Sequence, residues 1–197
     1  MRNMKKQSKS ILTLILCAVL AITSITFFGS DTAYAAEKTP FTIAFKGKTV
    51  KLDKDFNNSI ENGIKKISYK SLKKKWGKAS EATDYEGSPL FWIKDTSSVI
   101  YYEGETKDSG SSLQFELYSK NSGICGIKIG AKKAAVLKKL KKIVDQKYIY
   151  REDTDYVMVG CEDKKGNYTG MVNIVFGFSE GKLISICGVA NDIGFLE

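Results

Sequence analysis

From Ile124 to Ile143 the chain reads I-C-G-I-K-I-G-A-K-K-A-A-V-L-K-K-L-K-K-I, and its hydrophobic period changes halfway along. Cys125, Ile127 and Ile129 alternate with Ile124, Gly126 and Lys128, which predicts a strand that stops at Gly130. Beyond it Val136, Leu137, Leu140, Ile143 and Val144 fall at helical spacing. The intervening Lys132, Lys133, Lys138, Lys139, Lys141 and Lys142 are expected to face water. The stretch therefore predicts strand, glycine turn and amphipathic helix.

Upstream, Phe41 to Leu52 alternates about Gly47 and predicts a hairpin. Asp53 to Gly77 reads as helix in two pieces. Ile60, Ile64 and Ile67 share one face, Leu72 and Trp76 continue it, and Gly77 is the stop. Ala79 to Pro89 reads as loop. Strands are expected at Leu90–Ile93, Val99–Glu103, Leu113–Ser119 and Gly123–Ile129, with a polar loop over Gly104–Ser112. After the second helix, strands are expected at Lys147–Arg151, Tyr156–Glu162, Met171–Ser179 and Leu183–Val189. Turns fall at Lys165-Gly166-Asn167 and Glu180-Gly181, and Asn191–Glu197 reads as a loose end. Val172, Ile174, Phe176 and Phe178 alternate cleanly and are assigned to the core.

Two landmarks recur. Ser71–Lys78 (S-L-K-K-K-W-G-K) parallels Ala135–Lys142 (A-V-L-K-K-L-K-K), pairing Trp76 with Leu140, and Ile124–Ile127 (I-C-G-I) parallels Ile186–Val189 (I-C-G-V). Trp76 precedes Cys125 by 49 positions and Leu140 precedes Cys187 by 47. Near-equal spacing points to one supersecondary unit used twice. The expected class is α+β: two tandem units, each a helical segment followed by an antiparallel β-meander, with the helices packed on one sheet face. The first unit, with the N-terminal hairpin, is placed at 36–129 and the second at 130–197.

The first 35 residues change the picture of where the chain works. Arg2, Lys5, Lys6 and Lys9 precede an apolar run from Ile11 to Phe28, and Ala33-Tyr34-Ala35 supplies an A-x-A cleavage signal. A signal peptide over 1–35 is expected, with no membrane span after its removal and a secreted or wall-associated product. Leu16 before Cys17 is too large for a lipoprotein cleavage site. Removing the leader's four basic residues and Asp31 leaves 27 basic against 21 acidic residues, a net +6. Three cysteines remain, Cys125, Cys161 and Cys187. The expected reading is buried free thiols, with Cys125 and Cys187 at equivalent strand positions. A disulfide from Cys161 to one of the others is the alternative.

The sequence G-I-K-I-G-A-K-K-A-A-V-L-K-K-L (Gly126 to Leu140) resembles the strand–turn–helix signature of the β-lactamase-inhibitor-protein-like and outer-membrane-assembly small-lipoprotein superfamily. More closely, the chain resembles secreted proteins and lipoproteins of Gram-positive bacteria that carry this unit in tandem. Trp76–Gly87 looks like the segment after their first helix, and Leu183–Val189 like their closing strand. The resemblance covers roughly Ile67 to Val189. Two features depart from it. The helix-ending Gly-x-Pro survives only as Gly77-Lys78-Ala79 and as Lys141-Lys142-Ile143, so the second helix is free to run on, and the lipoprotein cysteine is absent. The resemblance implies a sheet able to grip another protein and offers no shared catalytic residues. Inhibition of a β-lactamase does not follow from the fold.

The chain has no histidine, which removes Ser-His-Asp and Cys-His catalysis and the commonest metal ligand. Glu152, Asp153 and Asp155, and Glu162 and Asp163, form acidic clusters in apparent hairpin loops. A hydrolase using them is the minor reading. Lys164 and Lys165 argue against a calcium loop there, and no phosphate-binding glycine motif is met. No enzyme activity, metal or cofactor is expected. Tyr101, Tyr102, Tyr118, Tyr148, Tyr150 and Tyr156 crowd the strands, and tyrosine suits protein contact surfaces. The leading expectation is a secreted non-enzymatic module that binds another extracellular or cell-surface protein, in the manner of an inhibitor, through an exposed sheet face. Tyr101, Tyr102, Tyr148, Tyr150 and Tyr156 are its contact residues. The alternative is a binder of anionic cell-envelope polymer or lipid through the lysine-rich helices, using Lys73, Lys74, Lys138 and Lys142. No motif for reading nucleic acid is present.

Overall fold

The computed structural model describes residues 38–64, 69–83, 89–104, 110–163 and 169–191, all within one compact unit, Ala36–Glu197. The expected signal peptide, Ile67 and the Lys165-Gly166-Asn167 turn lie outside the described residues. Two antiparallel sheets and three helices make up the described chain, which is mostly strand.

The N-terminal hairpin forms as its alternation requires. Strand β1 (Phe41–Phe45) pairs with β2 (Lys48–Asp53), and Phe41, Ile43 and Phe45 are fully buried. Lys46 and Gly47 both have positive φ, 51° and 73°, the signature of a two-residue type I′ turn. Asp55 then caps α1 (Phe56–Asn62) by accepting a hydrogen bond from the Asn58 amide. Helix α2 (Tyr69–Trp76) packs on β2 and ends at Gly77, whose φ of 96° fits the expected stop. Trp76 Nε1 donates to the Lys48 carbonyl at 3.1 Å, and its ring meets Phe45 edge-on at 5.6 Å. Of the face expected for this region, Ile60, Leu72 and Trp76 are buried on the helices. Ile64 is buried too, but it lies beyond α1 and its amide bonds the Asn191 carbonyl.

The large sheet has eight strands in the order β3-β4-β5-β6-β12-β11-β10-β9. On one side run β3 (Ser80–Thr83), β4 (Pro89–Lys94), β5 (Val99–Gly104) and β6 (Gly110–Leu117). On the other run β9 (Ile149–Glu152), β10 (Tyr156–Val159), β11 (Val172–Ser179) and β12 (Lys182–Asn191). The two sets meet where β12 pairs antiparallel with β6, Ile186 opposite Leu117, Gly188 opposite Phe115 and Ala190 opposite Leu113. These six residues point into the core. Gly188 has a reason to lack a side chain: a Cβ there would come within 2.4 Å of the Asn173 carbonyl oxygen and 2.8 Å of the Phe115 ring. Val172, Ile174, Phe176 and Phe178 share this core face and are buried, as their alternation indicates.

The seam stretch departs from its expectation in one respect. Gly123 to Ile129 is a tight hairpin rather than a single strand. Strand β7 (Gly123–Ile124) folds back onto β8 (Ile127–Lys128) about Cys125 and Gly126, which have φ of 48° and 73°. Two consecutive positive-φ residues make a second type I′ turn. Strand β7 joins β1, so the four short strands form their own sheet in the order β2-β1-β7-β8. The I-C-G-I and I-C-G-V landmarks are therefore not equivalent: one is a turn, the other the middle of a ten-residue strand.

Helix α3 (Lys133–Ile143) follows, burying Val136, Leu140 and Ile143. It stops at Ile143 rather than running on, and Val144 is extended with φ −119°. Its entry is tied to the start of β12, with the Gly130 amide on the Leu183 carbonyl and the Lys133 amide on the Gly181 carbonyl. A 3-10 turn, Gln146–Tyr148, replaces the first part of the strand expected at Lys147. Ala79–Pro89 is not all loop, because Ser80–Thr83 pairs with β4 as an edge strand. Its sequence S-E-A-T carries no apolar alternation to announce it. Asn191 belongs to β12 rather than to a loose end.

Asn57 holds α1 to the end of α3. Its Nδ2 donates to the Ile143 carbonyl at 3.1 Å, and its Oδ1 accepts from the Asp145 amide at 2.9 Å. Asn57→Ala should cost about 1–3 kcal/mol by stranding both backbone groups, read as a lower urea midpoint at unchanged slope.

Candidate functional site

The core-facing side of the large sheet carries the apolar alternation, so the opposite side receives whatever lies out of phase. Register places Trp92, Tyr101, Gln114, Val189 and Asn173 in one row across β4, β5, β6, β12 and β11. A second row runs Lys94, Val99, Glu116, Cys187, Val175, Met158 and Arg151, reaching β9. Trp92, Val99, Tyr101, Val175, Val189, Met158 and Cys187 are half-buried; Gln114 and Glu116 are exposed. Tyr118 is 44% exposed, and Ile184, the extra residue of the bulge between β11 and β12, is 50% exposed. With strands about 4.8 Å apart and same-face residues about 6.7 Å apart, these two rows cover roughly 400 Å², about half of the roughly 800 Å² per partner of a standard protein interface. Aromatic and aliphatic groups line this face on either side of Gln114 and Glu116 of β6, and the charged side chains of the two rows, Lys94, Glu116 and Arg151, carry mixed sign.

The tyrosines divide between the two faces. Tyr101 lies on the open face between Trp92 and Gln114, and Tyr156 lies on it opposite Gly177. Tyr102 does not: it faces the core opposite Leu113 and is 3% exposed. Tyr148 is also withdrawn, 5% exposed in the 3-10 turn. Both are corrected out of the contact set: Tyr102 because the strand neighbour of outward Tyr101 must point inward, and Tyr148 because the 3-10 turn buries it. Tyr150 sits on β9, and its side chain lies outside the described residues. Sequence reasoning passed over Trp92, Val99, Val175, Val189 and Met158. Their signal was available: each is apolar yet out of phase with its strand's buried set.

Tyr148 has a different role. Lys147 Nζ donates to Glu61 Oε1 at 2.8 Å and sits 4.5 Å from the Tyr148 ring centroid. The Lys147 bond holds the Glu61 carboxyl below its ordinary range. Burial, then the bond to Glu61, pushes Tyr148 up to about 12. The cluster ties the 3-10 turn to α1. The acidic residues proposed for hydrolysis are solvated or ion-paired: Glu152 lies 3.7 Å from Lys141, and Glu162 lies 3.9 Å from Arg151. Among the described residues no cluster of three Cys, Asp or Glu could hold a metal ion. No described helix is long and apolar enough to cross a membrane.

All three described thiols are free. Only Cys125 is buried; Cys161 is half-buried, and Cys187 lies half-buried on the open face with its Sγ 3.7 Å from the Tyr118 hydroxyl. Burial raises each thiol above its ordinary value, Cys125 to about 11, so none is a ready nucleophile at neutral pH. The bond to Cys187 is the main cause that lifts Tyr118 to about 12.

Lys73 and Lys74 lie exposed on α2, and Lys138 and Lys142 lie exposed on α3. The two pairs occupy separate helices, and Lys138 and Lys142 border a pocket of about 520 Å³. Comparison with protein-family models, with curated proteins and with solved structures found no match to this chain.

The Cys125 value sets a pH dependence. The fold holds this thiol neutral, so its contribution is complete below about pH 9, where the unfolded thiol keeps its proton, and is lost as pH rises toward 11. Urea unfolding at pH 8 and pH 10.5 should show the native protein losing more stability between the two than Cys125→Ala does.

Proposed function

We propose that this chain is a secreted, non-enzymatic module that binds another extracellular protein through the open face of its large sheet. One observation carries the reading: Trp92, Val99 and Tyr101 on one side of β6, and Val189, Val175 and Met158 on the other, form two half-exposed aromatic and aliphatic patches flanking Gln114 and Glu116 on one sheet face. Rigid Trp and Tyr on a backbone-paired platform are the residue types that dominate binding energy at protein interfaces. A sheet held by core packing on its other face also loses little freedom on binding.

The strand order supports a finer reading, two tandem helix-plus-meander units divided near residue 130. In each half a helix precedes four consecutive antiparallel strands, and the last strands of the two meanders pair at the centre. That arrangement agrees with the resemblance to tandem secreted proteins of the β-lactamase-inhibitor-protein-like superfamily. The duplication then rests on topology and on the Trp76–Leu140 correspondence, without the I-C-G landmark. Export rests on the leader pattern of residues 1–35.

The second reading, a cell-envelope polyanion binder, is supported by the exposure of Lys73, Lys74, Lys138 and Lys142. It ranks lower because solvated lysine faces are the ordinary outer surface of amphipathic helices.

The two readings separate on one column. Immobilised protein should retain a specific protein from extracellular extract through moderate salt. Val189→Arg and Tyr101→Ala should each weaken that retention at least tenfold without lowering the thermal midpoint, and Lys138→Glu with Lys142→Glu should leave it intact. Equal retention by Val189→Arg would sink the sheet-face reading; a salt-labile anionic polymer, lost in the lysine variant, would favour the second.

A further inference from the structure

The pocket of about 520 Å³ lies away from the open sheet face. It is bounded by Thr39, by the Cys125 turn, and by the side of α3 that carries Ala135, Ile143 and three lysines, Lys138, Lys139 and Lys142. Helical spacing explains the convergence, since Ala135, Lys138, Lys139, Lys142 and Ile143 fall at i, i+3, i+4, i+7 and i+8, one flank of a helix. Gly126 explains how close one of them comes: a Cβ there would meet Lys139 Nζ at 2.7 Å, so the ammonium lies across the bare turn. Lys139 is also near enough to Cys125 to pull its thiol acidity against the stronger effect of burial.

Three ammonium groups around one concavity repel one another, and like charges at i,i+4 cost a helix about 0.2–0.5 kcal/mol even when exposed. Among the described residues no carboxylate forms an ion pair with Lys138 or Lys139. The lining also mixes charge with an apolar floor: the methyl of Ala135, Ile143 and the neutral thiol of Cys125, beside the hydroxyl of Thr39. Its volume falls in the roughly 300–1,000 Å³ range of small-molecule sites.

We propose that this pocket binds a small phosphate-bearing ligand, with Lys138, Lys139 and Lys142 neutralising the phosphate and a short organic body resting against Ala135, Ile143 and Cys125. Phosphate fits better than carboxylate because a monoester carries close to two negative charges near neutral pH. Lysine is a flexible point charge suited to it. The site stands independently of the open-face reading, since it shares no residue with that face.

The test is titration calorimetry at fixed ionic strength with inorganic phosphate and with glycerol 3-phosphate, alongside co-sedimentation with phosphatidylglycerol vesicles. Saturable binding to a single site is expected. It should fall at least tenfold in the double variant Lys139→Gln with Lys142→Gln and stay unchanged in Lys73→Gln with Lys74→Gln, which removes the same charge elsewhere. Binding of the soluble probes assigns a free phosphate ester, and binding of vesicles alone assigns a lipid headgroup. In the unmodified protein, glycerol 3-phosphate should also slow methanethiosulfonate labelling of Cys125 but not of Cys187, a readout that needs no variant. No binding by any probe, or equal weakening in both double variants, overturns the proposal.

Discussion

The pairing of β6 with β12 is the interaction on which the rest depends. It turns two four-stranded meanders into one eight-stranded sheet, and it sets the phase of both. Because Leu117, Phe115 and Leu113 face the core, Ile186, Gly188 and Ala190 must do so too, and the alternation propagates outward through β5 and β11. A one-residue slip at this junction would bury Glu116 and expose Phe115. The Phe115 ring lies over Gly188, where a larger residue would force the strands to shift. Helix α3 depends on the same strand, since its entry hydrogen-bonds to Gly181 and Leu183.

The elements with a single strong signal were legible. The Phe41–Asp53 hairpin, α3 and β11 each combine clean periodicity with a glycine turn, and each appears where the pattern puts it. What failed was any inference from a short string without its neighbours. The dipeptide Cys-Gly occurs twice. Cys125-Gly126 is a positive-φ turn, because the chain must reverse to reach α3, whereas Cys187-Gly188 is extended within the central strand. Local sequence cannot separate these cases, since both are flanked by isoleucine or valine. Ser80–Thr83 was invisible for the complementary reason: its sequence carries no apolar alternation, and the pairing with β4 is what reveals it.

The candidate site was half legible. Tyrosine enrichment pointed to the strands but not to a face, and adjacent residues such as Tyr101 and Tyr102 necessarily point opposite ways. The open surface emerges only when register is known, because its rows join residues from strands distant in sequence. The same holds for the lysines. Their spacing along α3 showed a charged flank, but the Cys125 turn that closes a pocket against it comes from the other sheet.

The central junction also has a kinetic face. Each meander is built from hairpins whose partners are neighbours in sequence, so either can zip up locally. Leu117 and Ile186 are about 70 residues apart, and contacts of that separation form late because the intervening loop must be ordered first. Until they form, β6 and β12 are both bare edges, rich in isoleucine, phenylalanine and leucine. The folding chain thus passes through a stage in which its two stickiest strands are open to any passing copy. At that stage the local concentration of copies decides whether the sheet closes on itself.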